Sequence, residues 1–131
     1  MMEMADNGIV VGLVVRDAAA SLAFYRDTLG MKLVASEAMD EGGEKHYLRI
    51  RGGYLKLFAP AEAPALRPSE DLGHTGFYNL ALVVTNLEEI CTVLKDKGVR
   101  LVSEVQTTEN GTQWTVVADP EGNPIELAQT G

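Results

Sequence analysis

The chain has 131 residues, 46% of them apolar, which suits one packed domain or two half-domains sharing a core and excludes global disorder. Lys and Arg number 11 against 19 Asp and Glu, and the resulting formal charge of −8 argues against non-specific nucleic-acid binding and against an anionic membrane surface, since both need basic patches. A single cysteine, Cys91, excludes an internal disulfide and a Cys-based zinc site, so a reducing, cytoplasmic setting is expected.

The opening MMEMADNG carries two acids and no base, unlike a secretory signal. A strand is expected over Ile9–Val15, a β-branched run far too short to cross a bilayer. Asp17 is a good N-cap for a helix with Leu22, Tyr25 and Leu29 on one face, and Gly30 sits where a left-handed C-cap belongs. Three strands follow, about Met31–Glu37, Lys45–Arg51 and Tyr54–Ala59. Gly52-Gly53 reads as a two-residue hairpin turn, which would pair Arg51 with Tyr54, Arg49 with Lys56 and Tyr47 with Phe58. Residues 60–76, PAEAPALRPSEDLGHTG, read as an irregular crossover or flap. Phe77 and Tyr78 just beyond it either cover a pocket mouth or staple the segment down.

The pattern then repeats. Leu80–Val84 matches the first strand, and Asn86 matches Asp17 as an N-cap, with Glu89 completing a capping box. Leu87, Ile90, Cys91 and Leu94 share a helical face, which makes Cys91 a core residue rather than a reactive thiol, since nothing basic is placed to lower its pKa. Gly98 matches Gly30, and strands are expected at about Val99–Val105, Thr112–Ala118 and Pro124–Ala128. The whole reads βαβββ, linker, βαβββ.

The segments VGLVVRDAAASLAFYRDTLGMKLV and DPEGNPIEL (residues 119–127) resemble the vicinal oxygen chelate superfamily, which includes glyoxalase I, extradiol dioxygenases, methylmalonyl-CoA epimerase and the bleomycin-resistance proteins. The resemblance covers about residues 8–129 and implies an α+β fold. Two βαβββ modules, about 8–59 and 76–129, would form an incompletely closed eight-stranded sheet around a cleft, in a single domain with a linker at 60–75. It also implies a homodimer, which a 14.1 kDa monomer in solution scattering would overturn.

The family's metalloenzymes hold a divalent ion with four side chains, one on the first and one on the last strand of each module. The resemblance maps these to Val10, Lys56, Asn79 and Glu126, the last strand of each module contributing one of the triplets Leu55-Lys56-Leu57 and Ile125-Glu126-Leu127. Only Glu126 is a credible ligand. Valine has no donor atom, an ammonium repels a cation, and a neutral amide is a poor transition-metal ligand. No metal and no other cofactor is therefore expected. The two histidines, His46 and His74, stand at a strand end and in the linker, and read as solvent-facing rather than as ligands.

With the flanking leucines turned toward the helices, Lys56 and Glu126 face the cleft, together with Tyr47, Arg49, Tyr54, Phe58 and, on the first strands, Val10 and Asn79. Trp114 lies on the strand beside Glu126, its side open. An apolar, aromatic wall with a few polar groups suits a small organic molecule. Arg49 and Lys56, read as opposed, would welcome an acid: Glu126 in a structural ion pair, or an anionic ligand. Two functions follow. One is a metal-free binding protein of the bleomycin-resistance type. The other is a metal-free lyase, isomerase or cyclase with Glu126 as general base and Arg49 or Lys56 as anion stabiliser. A metalloenzyme with unusual ligands ranks behind both.

Overall fold

A computed structural model of the chain describes residues 1–66 and 79–131. The expectations for His74, Phe77, Tyr78 and most of the linker lie outside the described residues. The fold is α+β and divides into two compact units, the first being Met1–Leu66. Each is a βαβββ module with its own four-stranded mixed sheet.

In the first unit, strand β1 (Ile9–Val14) leads to helix α1 (Ala18–Leu22), then come β2 (Lys32–Ala38), β3 (Gly43–Ile50) and β4 (Gly53–Pro60). The sheet order is β1-β4-β3-β2, with β1 parallel to β4 and the other pairs antiparallel. Asp17 caps α1 as expected, its Oδ1 accepting the Ala20 N–H at 3.0 Å. Gly30 has φ +81°, the left-handed conformation expected of it.

The helix itself departs from expectation. After Leu22 it continues as a π-helical turn over Ala23–Thr28, with Leu29 N–H bonding back to the Phe24 carbonyl at 2.9 Å. The wider turn rotates the buried stripe, so Phe24 and Tyr25 go inward together, ring to edge at 4.9 Å, while Leu22 and Leu29 are only half-buried. Leu48, Leu55 and Leu57 complete this core from the sheet.

The β3–β4 turn is also one residue displaced. Ile50 opposes Gly53, so the turn is Arg51-Gly52 and only Gly52, at φ +86°, needs the left-handed region. Arg49 therefore opposes Tyr54, Tyr47 opposes Lys56, and Lys45 opposes Phe58. The expected Arg49–Lys56 confrontation does not exist. Both strands shift together, so every residue keeps its face.

In the second unit the elements are β5 (Leu80–Val83), α2 (Leu87–Asp96), β6 (Gln106–Thr107), β7 (Gln113–Ala118) and β8 (Pro124–Gln129). The sheet order is β5-β8-β7-β6, with β5 parallel to β8. Leu87, Cys91 and Leu94 from the helix, and Val117, Ile125 and Leu127 from the sheet, are buried. Asn86 does not cap α2: its amide donates to Glu89 at 3.1 Å, and the Leu87 N–H is taken instead by the Gln129 side chain at 2.8 Å. A distant residue thus supplies the cap that the local pattern promised.

The strand expected over Val99–Val105 does not form. A single bridge joins Leu101 to Val117, and Ser103 draws β7 by its own groups, its carbonyl accepting Thr115 Oγ1 at 2.6 Å and its hydroxyl the Val116 N–H at 3.3 Å. Such side-chain bonds compete with a regular ladder.

Candidate functional site

Alternation along β3 and β4 sorts the first sheet into two faces. Leu48, Leu55, Leu57 and His46 take the helix side, while Tyr47, Tyr54, Lys56 and Phe58 are half-buried on the other. That second face carries an open recess of about 420 Å³, lined by Val10, Val34, Ala35, Glu37, Tyr47, Tyr54 and Lys56. Of the expected residues in this unit, the structure brings Val10, Tyr47, Tyr54 and Lys56 together there. Arg49 is exposed and outside the lining.

Lys56 supplies the cation among the lining residues. Its Nζ lies 5.1 Å from the ring centre of Tyr47 and 5.4 Å from that of Phe58, so two π faces hold one ammonium. Tyr47 reaches this position because it is the direct cross-strand neighbour of Lys56. Gly12, beside Lys56 on β1, leaves the space that Phe58 uses: a Cβ there would come within 3.1 Å of the Phe58 ring.

Glu37, Val34 and Ala35 were not legible in the sequence. They arrive through an irregularity in the β2–β3 register. Leu33 opposes Leu48 and Ala35 opposes Tyr47, leaving Val34 as an extra residue. This bulge brings two consecutive side chains, Val34 and Ala35, to the recess. Glu37 pairs with Lys45 at 3.4 Å, and Tyr47 first, then Glu37, hold the Lys45 ammonium above its usual range.

His46 is a correction. It is only 6% exposed, on the helix side, with Nδ1 2.8 Å from the Ser36 hydroxyl and Nε2 3.2 Å from a Glu44 oxygen, the latter without hydrogen-bond geometry. It is a packed core residue with one ring nitrogen hydrogen-bonded. Cys91 is buried as expected, and burial pushes its thiol up against a smaller opposing pull from Lys95, a basic neighbour one helical turn further on.

In the second unit, Trp114 opposes Ala128 and Val116 opposes Glu126, which puts Trp114 on the same face as Glu126 and diagonal to it. Both are half-buried, and the alternating Thr115, Ile125 and Leu127 are fully inside. Asn79 is exposed immediately before β5.

The four positions that the resemblance maps to metal ligands hold Val10 and Lys56 in one unit, and Asn79 and Glu126 in the other. One carboxylate, one amide, one hydrocarbon and an ammonium held between rings do not fit a divalent ion. Among the described residues no group of three or more His, Cys, Asp and Glu could hold one. No helix among them is long and apolar enough to cross a membrane.

Comparison with known proteins agrees with this fold. The family model described as the Glyoxalase/Bleomycin resistance protein/Dioxygenase superfamily matches residues 9–127. A protein of Synechocystis sp. named a probable lactoylglutathione lyase is 35% identical over 123 residues, 88% of this chain and 89% of that one. A glyoxalase family protein from Bacillus cereus superposes with a TM-score of 0.80 at 20% identity, over 99% of this chain and 95% of that one. A genomically encoded fosfomycin resistance protein from Listeria monocytogenes does so with a TM-score of 0.66 at 13% identity, over 94% and 90%.

Proposed function

The chain belongs to the glyoxalase/bleomycin resistance protein/dioxygenase superfamily, and on that footing we propose that it binds a small, partly aromatic organic molecule without using a metal ion. The observation that carries this reading is Lys56. At a position that the resemblance maps to a metal ligand, this chain carries a cation, with the rings of Tyr47 and Phe58 beside it. The neighbouring recess has apolar walls and few polar groups, the make-up of a small-molecule site. A metal titration tests the reading. Protein purified without chelator or nickel resin should carry no stoichiometric metal and show no micromolar affinity for Zn²⁺, Mn²⁺, Fe²⁺ or Ni²⁺. Near-stoichiometric metal that disappears in Glu126→Gln would overturn it.

A second reading is a metal-free lyase, isomerase or cyclase. The name of the Synechocystis relative, a probable lactoylglutathione lyase, favours looking for turnover. Glu126, half-buried with Trp114 on its face, is the group that would move a proton. If so, Glu126→Gln should lower kcat by about 100-fold or more and leave KM nearly unchanged. Saturable binding with no turnover in either protein retires this reading and keeps the first.

A further inference from the structure

The Lys56 ammonium is held but not hydrogen-bonded. Tyr47 and Phe58 offer it two ring faces, and among the described residues no carboxylate pairs with it and no acceptor takes its N–H groups. Ring faces attract the charge yet leave three donors to be used. The one acid lining the recess, Glu37, is already committed to Lys45 at 3.4 Å. Among the described residues Lys56 therefore has no carboxylate partner of its own, in a chain whose formal charge is −8. A surface lysine with no such role would more simply lie extended in water. Here the cross-strand register and the space left by Gly12 both serve to fix it against rings.

We propose that Lys56 is the anchor for an anionic oxygen, and that the recess takes an organic carboxylate with a planar, apolar body. This rests on the reading of the recess as a small-molecule site and adds the chemical class of what enters it. The ammonium donates charge-assisted hydrogen bonds to the carboxylate, which are roughly twice as strong as neutral ones. The walls formed by Val10, Val34 and Ala35, with the ring of Tyr54, receive the apolar body. The chain thus supplies a fixed organic cation at a place where metalloenzymes of the family recruit an inorganic one.

The test uses a matched pair of probes, 2-naphthoate and 2-naphthamide, titrated calorimetrically into the full-length protein. Naphthoate should bind tighter than the amide by on the order of tenfold or more. Lys56→Met should erase that preference by bringing naphthoate down to the affinity of the amide, and continued binding of the amide to this variant shows that the recess is still formed. Lys95→Met, a cation removed from the helix of the other unit, should leave the preference unchanged. Equal affinity for both probes in the unaltered protein overturns the anion anchor but keeps the small-molecule reading. A naphthoate preference that survives Lys56→Met overturns the assignment to Lys56. Failure of both probes to bind at millimolar concentration, alongside binding of neutral aromatics of other shapes, again defeats the carboxylate class alone. Failure of every aromatic probe defeats the recess itself.

Discussion

Gly53→Ala should cost the first unit about 3 kcal/mol or more, through overpacking against backbone rather than through lost conformational freedom. Gly53 is buried at the start of β4, and a Cβ built on it would lie 1.7 Å from the Ile9 carbonyl oxygen and 2.7 Å from its carbon. Backbone cannot rotate away as a side chain does, so β1 must separate from β4 at the first pair of their parallel ladder. Gly52→Ala is the internal control. Nothing lies within 4 Å of its Cβ position, and only its φ of +86° is unfavourable. That strain is worth about 1–2 kcal/mol. Urea unfolding of both variants, followed separately for the two units by amide exchange, gives the order. A smaller loss for Gly53→Ala than for Gly52→Ala would contradict the close approach of β1.

The second large effect is expected in the other unit. The Asp119 carboxylate, 5% exposed, accepts the Glu121 N–H at 2.9 Å and the Asn123 N–H at 2.8 Å through one oxygen. Its other oxygen accepts the Asn123 side-chain amide at 2.9 Å. Among the described residues three donors converge on the Asp119 side chain, which closes the turn between β7 and β8 and sets the strand that carries Glu126. Asp119→Ala strands all three and should cost about 2–4 kcal/mol. Asp119→Asn should cost less, because its carbonyl oxygen still accepts the two backbone bonds while the bond from the Asn123 side chain is lost. Thermal melts of the two variants give the ranking, and equal losses would mean that the carboxylate fills space rather than organises the turn.

The loop DPEGN was visible in the sequence as part of a resemblance, but its physical role comes from burial that no pattern displays. The same division runs through the molecule. Periodicity of two was enough to place Tyr47, Lys56 and Phe58 opposite the leucines, because those leucines are a strong apolar signal on one face. Register was harder. Gly52 and Gly53 look alike as turn residues, yet Gly53 belongs to a strand and is needed for the nearness of Ile9, a contact made by residues far away in sequence. The error turned a cation–ring cluster into an apparent clash of two cations. The bulge at Val34 left no mark at all, since an extra valine in a strand-like run is indistinguishable from an ordinary one. In the second unit, Asn86 had every local property of a cap and was outcompeted by Gln129, so propensity yielded to a tertiary bond.

The parallel pairing of first and last strands has a consequence for how the chain acquires its shape. Ile9 opposes Gly53, a separation of 53 − 9 = 44 residues, and Leu80 opposes Ile125, a separation of 125 − 80 = 45. At ~5–20 residues per second, a ribosome makes such a stretch in roughly 2–9 seconds. Through that interval β1 has emerged and β4, its sheet neighbour among the described residues, has not. The inner hairpin of β3 and β4 can zip locally, but each module closes only when its oldest strand meets its newest. A nascent chain arrested just before Gly53 should therefore leave the backbone N–H and C=O groups of Ile9–Val14 without their β4 partners, an open strand edge that invites pairing with another chain.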